Sequence, residues 1–106
     1  MDFGSMASGL GLGEDDFKEL ADLLVTTSLS DIKKLEKGVA SGDQNKVAQA
    51  AHSIKGAAGN LGFMDISAIA ARTEAQARQG ILNEVKDKIQ IIKNCLDDIS
   101  SALKIS

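Results

Sequence analysis

The chain of 106 residues has no proline, no tryptophan and no tyrosine, and only three phenylalanines. Without proline, nothing in the sequence forces a break in a long helix. The apolar content, 43% of residues, is carried mostly by Ala, Leu, Ile and Val, which suits helices packed through aliphatic side chains. A single cysteine, Cys95, excludes an internal disulfide and fits a reducing, cytoplasmic setting. It reads as a small core-edge residue rather than a redox switch. Long apolar runs are missing as well: no stretch approaches the roughly 18 residues that a membrane span needs. The opening MDFGSMASGLGLG lacks the basic region and apolar block of a signal peptide. Charge of one sign is not in excess either. Twelve basic residues against 15 acidic ones leave a net charge of −3, which excludes the basic footprint of a nucleic-acid binder. One histidine and one cysteine, with no carboxylate cluster at ligand spacing beside them, do not make a zinc-type metal site. There is no Gly-x-Ser-x-Gly elbow and no Walker-type phosphate loop.

What is present is helical periodicity. Residues 1–13, rich in Gly, Ser and Met, read as a flexible leader or linker, and 14–106 as one domain with a single modest core. From Glu14 to Val39, Phe17, Leu20, Ala21, Leu24, Val25, Ile32, Leu35 and Val39 fall on one arc at about 100° per residue. Leu23 and Leu29 flank that arc. Glu14, Asp15 and Asp16 suit a helix start, where the dipole favours negative charge. Ser41-Gly42 makes a turn, and Asp43 is a good N-cap for a second helix from Gln44 to Leu61 with Gly62 as its C′ glycine. A third, capped by Asp65 or Ser67, reaches Gln79 and stops at Gly80; Ile66, Ile69, Ala70, Thr73 and Ala77 form its inner stripe. A fourth spans Leu82 to Leu103, with Leu82, Val85, Ile89, Ile92, Leu96, Ile99 and Leu103 close to heptad spacing. The expected fold class is all-α: an antiparallel up-down four-helix bundle, with a three-helix core and a loosely attached element as the alternative.

The stretch AHSIKGAAGNLG (51–62) holds the chain's one histidine, His52. On the wheel of the second helix, Val47, Ala50, Ala51, Ile54, Ala57, Ala58 and Leu61 occupy an arc about 120° wide, centred about 200° from His52. His52 is therefore expected on the outer face. Gly56, Gly59 and Ala48 lie within about 40° of it on the same wheel, with Lys55 and Gln49 on its flanks. An interior glycine costs a helix about 1 kcal/mol against alanine. Two glycines on an outward face have no core to serve, so they read as a bare surface on which another macromolecule can come close to the imidazole. A lone histidine is most often an ordinary solvated residue, and so is a lone lysine; the pairing of His52, Lys55 and the glycines is what raises both. Ser53 lies about 100° away around the helix, so no hydrolytic pair forms. The remaining chemistry is nucleophilic: an imidazole largely neutral near pH 7 keeps a ring lone pair, can attack an activated phosphorus atom and can carry the phosphoryl group covalently. Lys55, one turn on, offers a mobile positive charge to its oxygens.

These residues resemble the signature of histidine phosphotransfer (HPt) domains: His52, two residues, Lys55-Gly56, then a run of small residues ending in Leu61-Gly62. LGLGEDDFKELADLL resembles that family's opening helix, and RTEAQARQG (72–80) its third, so the resemblance covers about residues 10–103. It implies a four-helix bundle that relays phosphate between aspartates of response-regulator receiver domains, some members being charged directly by a histidine kinase. It further implies His52 as phospho-acceptor, Lys55 as stabiliser of the phosphoryl group and Gly56 as room for the receiver's loops. Gly59 is carried with less weight. Ala48 and Gln49 complete the expected docking face, Gln49 also as a group that orients the ring. Leu23 and Leu29 either extend that face or fill the bundle's edge. The metal ion, Mg²⁺, is expected on the receiver, with no cofactor in this chain. A monomer, no nucleic acid and no membrane insertion are expected. With no ATP-binding module in the chain, it is not expected to phosphorylate itself. Two other readings stay open, a module of a larger hybrid or chemotaxis-type kinase and a helical scaffold without chemistry.

Overall fold

The computed structural model describes residues 1–105, and among them it contains five helices and no strand. Residue 106, the last of the expected bundle domain, lies outside the described residues. The helices are α1 (Phe3–Gly9), α2 (Glu14–Ser41), α3 (Gln44–Asn60), α4 (Met64–Arg78) and α5 (Val85–Ile105). None of them is long and apolar enough to cross a membrane. The four long helices pack in a closed order, α2 on α3, α3 on α4, α4 on α5 and α5 back on α2, while α1 packs on α2.

Local chemistry explains the boundaries. Glu14, Asp15 and Asp16 occupy the first turn of α2, where their charge meets the positive end of the helix dipole. At its far end Gly42 takes φ +69°, and the Asp43 amide donates back to the Gly38 carbonyl at 2.8 Å, closing the helix in the left-handed manner that glycine permits. Asp43 then caps α3 by accepting from the Lys46 amide at 3.0 Å. So short a turn folds α3 tightly against α2. A β-carbon at Gly38 would lie 2.7 Å from Cγ2 of Val47, so this glycine is required by the approach of the two helices.

The core is aliphatic along most of its length, with Ile32, Leu35, Val47, Ile54, Ile92, Leu96 and Ile99 all fully buried. At one end it is aromatic. The rings of Phe3 and Phe17 lie 6.0 Å apart, and Phe17 and Phe63 likewise, so the chain's three phenylalanines tie α1, α2 and the N-cap of α4 together. Stacks at this separation add about 0.5–1.5 kcal/mol beyond the area they bury.

This end corrects the flexible-leader expectation for residues 1–13. Asp2 caps α1 by accepting from the Ser5 amide at 3.0 Å, and Phe3 and Ala7, four residues apart on one face, are buried in the core. Two smaller boundaries also move. The N-cap of α4 is Phe63, without a side-chain cap; Asp65 lies in the first turn instead, and the Ser67 hydroxyl is drawn across to the Lys55 carbonyl at 3.1 Å. Helix α5 begins at Val85, not Leu82, because Val85 closes a turn on the Leu82 carbonyl at 3.2 Å.

Candidate functional site

Helix α3 presents His52 to solvent, its side chain 63% exposed. On one flank the Ser53 hydroxyl donates to Asp31 Oδ2 of α2 at 2.8 Å. On the other flank α4 contributes Glu74, the glutamate of the RTEAQARQG stretch, to which the sequence reading gives a place in the family resemblance but no role in the site. Its side chain is only 11% exposed, and it lies beneath the imidazole. His52 Nδ1 is 3.1 Å from Glu74 Oε2 and 3.3 Å from Oε1. Lys55 Nζ donates to Oε1 at 2.9 Å. Arg78, one turn further along α4, donates to Oε2 through Nη2 at 2.8 Å and Nε at 3.2 Å.

One carboxylate thus serves three nitrogen-bearing side chains. The Lys55 ammonium, followed by the Arg78 guanidinium and the His52 ring, holds the Glu74 carboxyl down at about 2 against the opposing effect of burial. Glu74 is therefore ionised at any pH at which the protein works, and an ionised carboxylate only accepts hydrogen bonds. The proton in the His52–Glu74 contact must then sit on Nδ1. In the neutral ring this leaves Nε2 unprotonated, its lone pair directed away from Glu74. A carboxylate placed behind the ring in this way fixes its tautomer and orientation.

The residues grouped with His52 divide between two environments. Gly56 faces open space: a β-carbon placed on it would meet nothing within 4 Å. Gln49 is exposed, but the ring is held by Glu74, not by Gln49. Ala48 and Gly59 do not belong on the outer face as expected. Ala48 is 1% exposed, in the core, and a β-carbon on Gly59 would stand 3.2 Å from the Ser67 hydroxyl of α4. On the helical wheel Ala48 lies about 20° from Lys55 on one side and about 20° from Gly59 on the other, and α4 packs along that line. The buried arc of α3 extends almost to His52 because α4 approaches closely there, and close approach is what the small residues permit. Helix contact, not access for a partner, accounts for Gly59.

Beyond Gly56 the seam between α2 and α3 opens into an apolar groove of about 480 Å³, walled by Leu20, Leu23 and Thr27 on one side and Ala57 and Leu61 on the other. Leu23 is exposed at its rim. Leu29, also exposed, is not among the residues lining it. Among the described residues no group of three or more His, Cys, Asp or Glu side chains comes together in a way that could hold a metal ion.

Comparison with known proteins places this geometry in context. The chain matches the family described as Hpt domain over residues 19–102. It superposes on the crystal structure of histidine-containing phosphotransfer protein B (HptB) from Pseudomonas aeruginosa PAO1 with a TM-score of 0.83 and 25% sequence identity, over 98% of this chain and 90% of that one. Comparison with curated proteins finds no match.

Proposed function

The chain belongs to the Hpt domain family and is a histidine phosphotransfer carrier of a phosphorelay, and on that premise we propose that Nε2 of His52 is the atom that carries the phosphoryl group. The observation behind this reading is the Nδ1 contact with an ionised Glu74. It leaves the exposed nitrogen nucleophilic without any proton having to be removed from it.

The donor is the aspartyl phosphate of a receiver domain. The Nε2 lone pair attacks phosphorus, the bond from phosphorus to the aspartate oxygen breaks, and the carboxylate leaves with the bonding electrons. The ring gains a positive charge as the bond forms, with Nδ1 still protonated. Glu74 lies where that charge develops and stabilises it, in the way a buried carboxylate supports an imidazolium in hydrolytic triads. Lys55, 35% exposed on a flexible stem, swings from Glu74 to the phosphoryl oxygens, while Arg78 keeps Glu74 paired. The receiver supplies the acceptor or donor aspartate and Mg²⁺, so that transfer rests on positioning and electrostatics.

The receiver docks over the face centred on Gly56, with Gln49 on the polar rim and Leu20 and Leu23 continuing it along the groove. Such a patch, apolar at the centre and polar at the edge, fits a small transient interface. The four long helices form the antiparallel up-down bundle that presents this face, and the domain works as a monomer in the cytoplasm. The test is transfer from a receiver phosphorylated on aspartate to this chain, with His52→Gln as control. Acid-labile, base-stable label on the wild type alone is the expected result; label that survives in His52→Gln, or none from a broad panel of receivers and a phosphoramidate donor, rejects the assignment.

A further inference from the structure

The net charge of −3 conceals a separation. Residues 1–27 carry six carboxylates, Asp2, Glu14, Asp15, Asp16, Glu19 and Asp22, against one lysine, Lys18. Residues 33–46 carry four lysines, Lys33, Lys34, Lys37 and Lys46, against two carboxylates, Glu36 and Asp43. Those two are already engaged, Glu36 by Lys93 of α5 at 3.0 Å and Asp43 as the cap of α3. Helix α2 runs from the first group into the second, and the turn at Gly42 brings Lys46 back beside its basic end. The seam of α2 and α3 that bears the apolar groove is therefore acidic at one end and basic at the other.

On the α2 wheel Leu20, Leu23, Thr27 and Lys34 all lie within about 40° of Asp16, so one stripe passes from a carboxylate, through the wall of the groove, to an ammonium. Asp16, Glu19, Lys34 and Lys46 are all exposed. Among the described residues Asp16, Glu19 and Lys46 form no ion pair, and Lys34 reaches Asp31 only at 3.8 Å. Helix stability does not account for these charges. Glu19 lies beyond the first turn of α2, where the dipole no longer favours an acid, and Lys46 stands in the first turn of α3, where the dipole opposes a base. The Ser53–Asp31 bond marks the level of His52 on both helices. By helical rise, Lys34 and Lys46 stand about 5–10 Å to one side of that level, and Asp16 and Glu19 about 18–22 Å to the other.

Resting on the reading of His52 as phospho-acceptor, we propose that the two charged ends of this seam select the receiver and fix the direction in which it docks. A partner that fits presents carboxylates about 5–10 Å from its phosphorylated aspartate, against Lys34 and Lys46. On the far side of its apolar patch it presents lysine or arginine, against Asp16 and Glu19. The groove alone gives no direction, because apolar contact is non-directional. Turned end for end about His52, the same partner would set like charges together at both ends, which rejects that orientation. A receiver with the opposite arrangement of charge is refused for the same reason. Because these side chains are exposed, they act on encounter, speeding association of the fitting partner and losing their effect as salt screens them.

The experiment follows label onto the full chain from a broad panel of receiver domains phosphorylated with acetyl phosphate, at low and at high ionic strength. Loading of the wild type from phosphoramidate, absent in His52→Gln, tests the underlying assignment separately. For receivers that charge the wild type, Lys34→Glu combined with Lys46→Glu is expected to slow transfer at least about tenfold at low salt, the lower end of what steering contributes. Asp16→Lys combined with Glu19→Lys is expected to slow it as well, and both losses should shrink at high salt. Lys46→Glu agrees with the α3 dipole, and thermal melts check that each double variant is folded. Changing the receiver's facing carboxylates to lysine should restore the rate with the first double variant. Unchanged rates in both double variants at low salt, or a loss that salt leaves as it was, overturn the proposal. A wild type that loads from phosphoramidate but from no receiver overturns it too, and leaves His52 as the acceptor; loading from neither removes the reading beneath it.

Discussion

Glu74→Gln separates the electrostatic role of this side chain from its shape, because the volume stays and the charge goes. In the wild type its carboxyl is held at about 2 in place of the usual 4.5, chiefly by Lys55. A displacement of that size corresponds to roughly 3–4 kcal/mol in favour of the charged form, and the exposure of the three partners trims it. The variant is therefore expected to lose about 2 kcal/mol of stability, a fall in Tm of roughly 10 °C for a domain of this size. The loss should have a characteristic pH dependence. A carboxyl whose folded value lies below its unfolded one contributes in full above about pH 4.5 and loses that contribution as pH falls towards about 2. Denaturant stabilities of wild type and variant should accordingly stand apart at neutral pH and converge in acid.

The catalytic consequence follows from hydrogen-bond inventory. A carboxylate can only accept, so it selects the Nδ1–H tautomer; an amide accepts through oxygen and donates through nitrogen, so it satisfies either tautomer. In Glu74→Gln a share of the rings then carries the proton on Nε2, and the ring charge that forms during attack has no anion beneath it. Losing the carboxylate that orients a metal-ligating histidine typically costs about 10–100-fold, and by that analogy a drop of the same order is expected in phosphoryl acceptance, read by quenched flow from a phosphorylated receiver. Imidazole ¹⁵N spectra of the two proteins report the tautomer directly. Acceptance at the wild-type rate in a variant whose spectra show mixed tautomers would refute the orienting argument.

Other substitutions test the division of the α3 surface. His52→Gln should abolish acceptance while shifting stability by no more than about 0.5 kcal/mol, because the side chain is mostly solvent-exposed; a large loss in denaturant melts would mean the ring is structural. Gly56→Gln should stabilise α3 by up to about 1 kcal/mol, since its surroundings are open, yet slow transfer from a receiver; an unchanged rate would remove the access argument. Gly59→Ala should show no such gain in Tm, because its new methyl presses on Ser67 at 3.2 Å and strains the bond from Ser67 to the Lys55 carbonyl. Gly38→Ala should cost about 1–3 kcal/mol by overpacking, as the nearest obstacles include the Val47 amide at 3.2 Å and the Asp43 carbonyl at 3.3 Å. Stability equal to wild type in urea would show that α3 can move away from α2 at no cost.

The long helices and the outward aim of His52 were legible because each depends on a single periodicity, and a wheel needs no knowledge of neighbours. Ala48 and Gly59 were misread for the same reason: a wheel places residues by angle but does not say where the next helix lies. Here α4 closes over the side of α3 that carries them, so an angle within about 40° of an exposed residue still led into the core. The folding of residues 3–9 was hidden by composition. Phe3 and Ala7 are a sparse apolar stripe, and only the nearby Phe17 ring makes that stripe worth burying.

Glu74 is a different case: the resemblance includes it as part of the third helix, and the sequence holds a further signal for its contact with His52. It lies four residues after Ala70 and three before Ala77, both on the inner stripe of α4, so the register puts a carboxylate at the margin of the core. Carboxylates are almost never buried there unless paired. Arg78, four residues on, satisfies one side of it, but a carboxylate with two oxygens and about four lone-pair sites still has capacity for partners on a neighbouring helix. The chain offers one stretch where a cation and an imidazole stand one turn apart, at Lys55 and His52. The contact that prepares the histidine was thus recoverable by asking where the stray acid of α4 must go, a question that examining His52 alone does not raise.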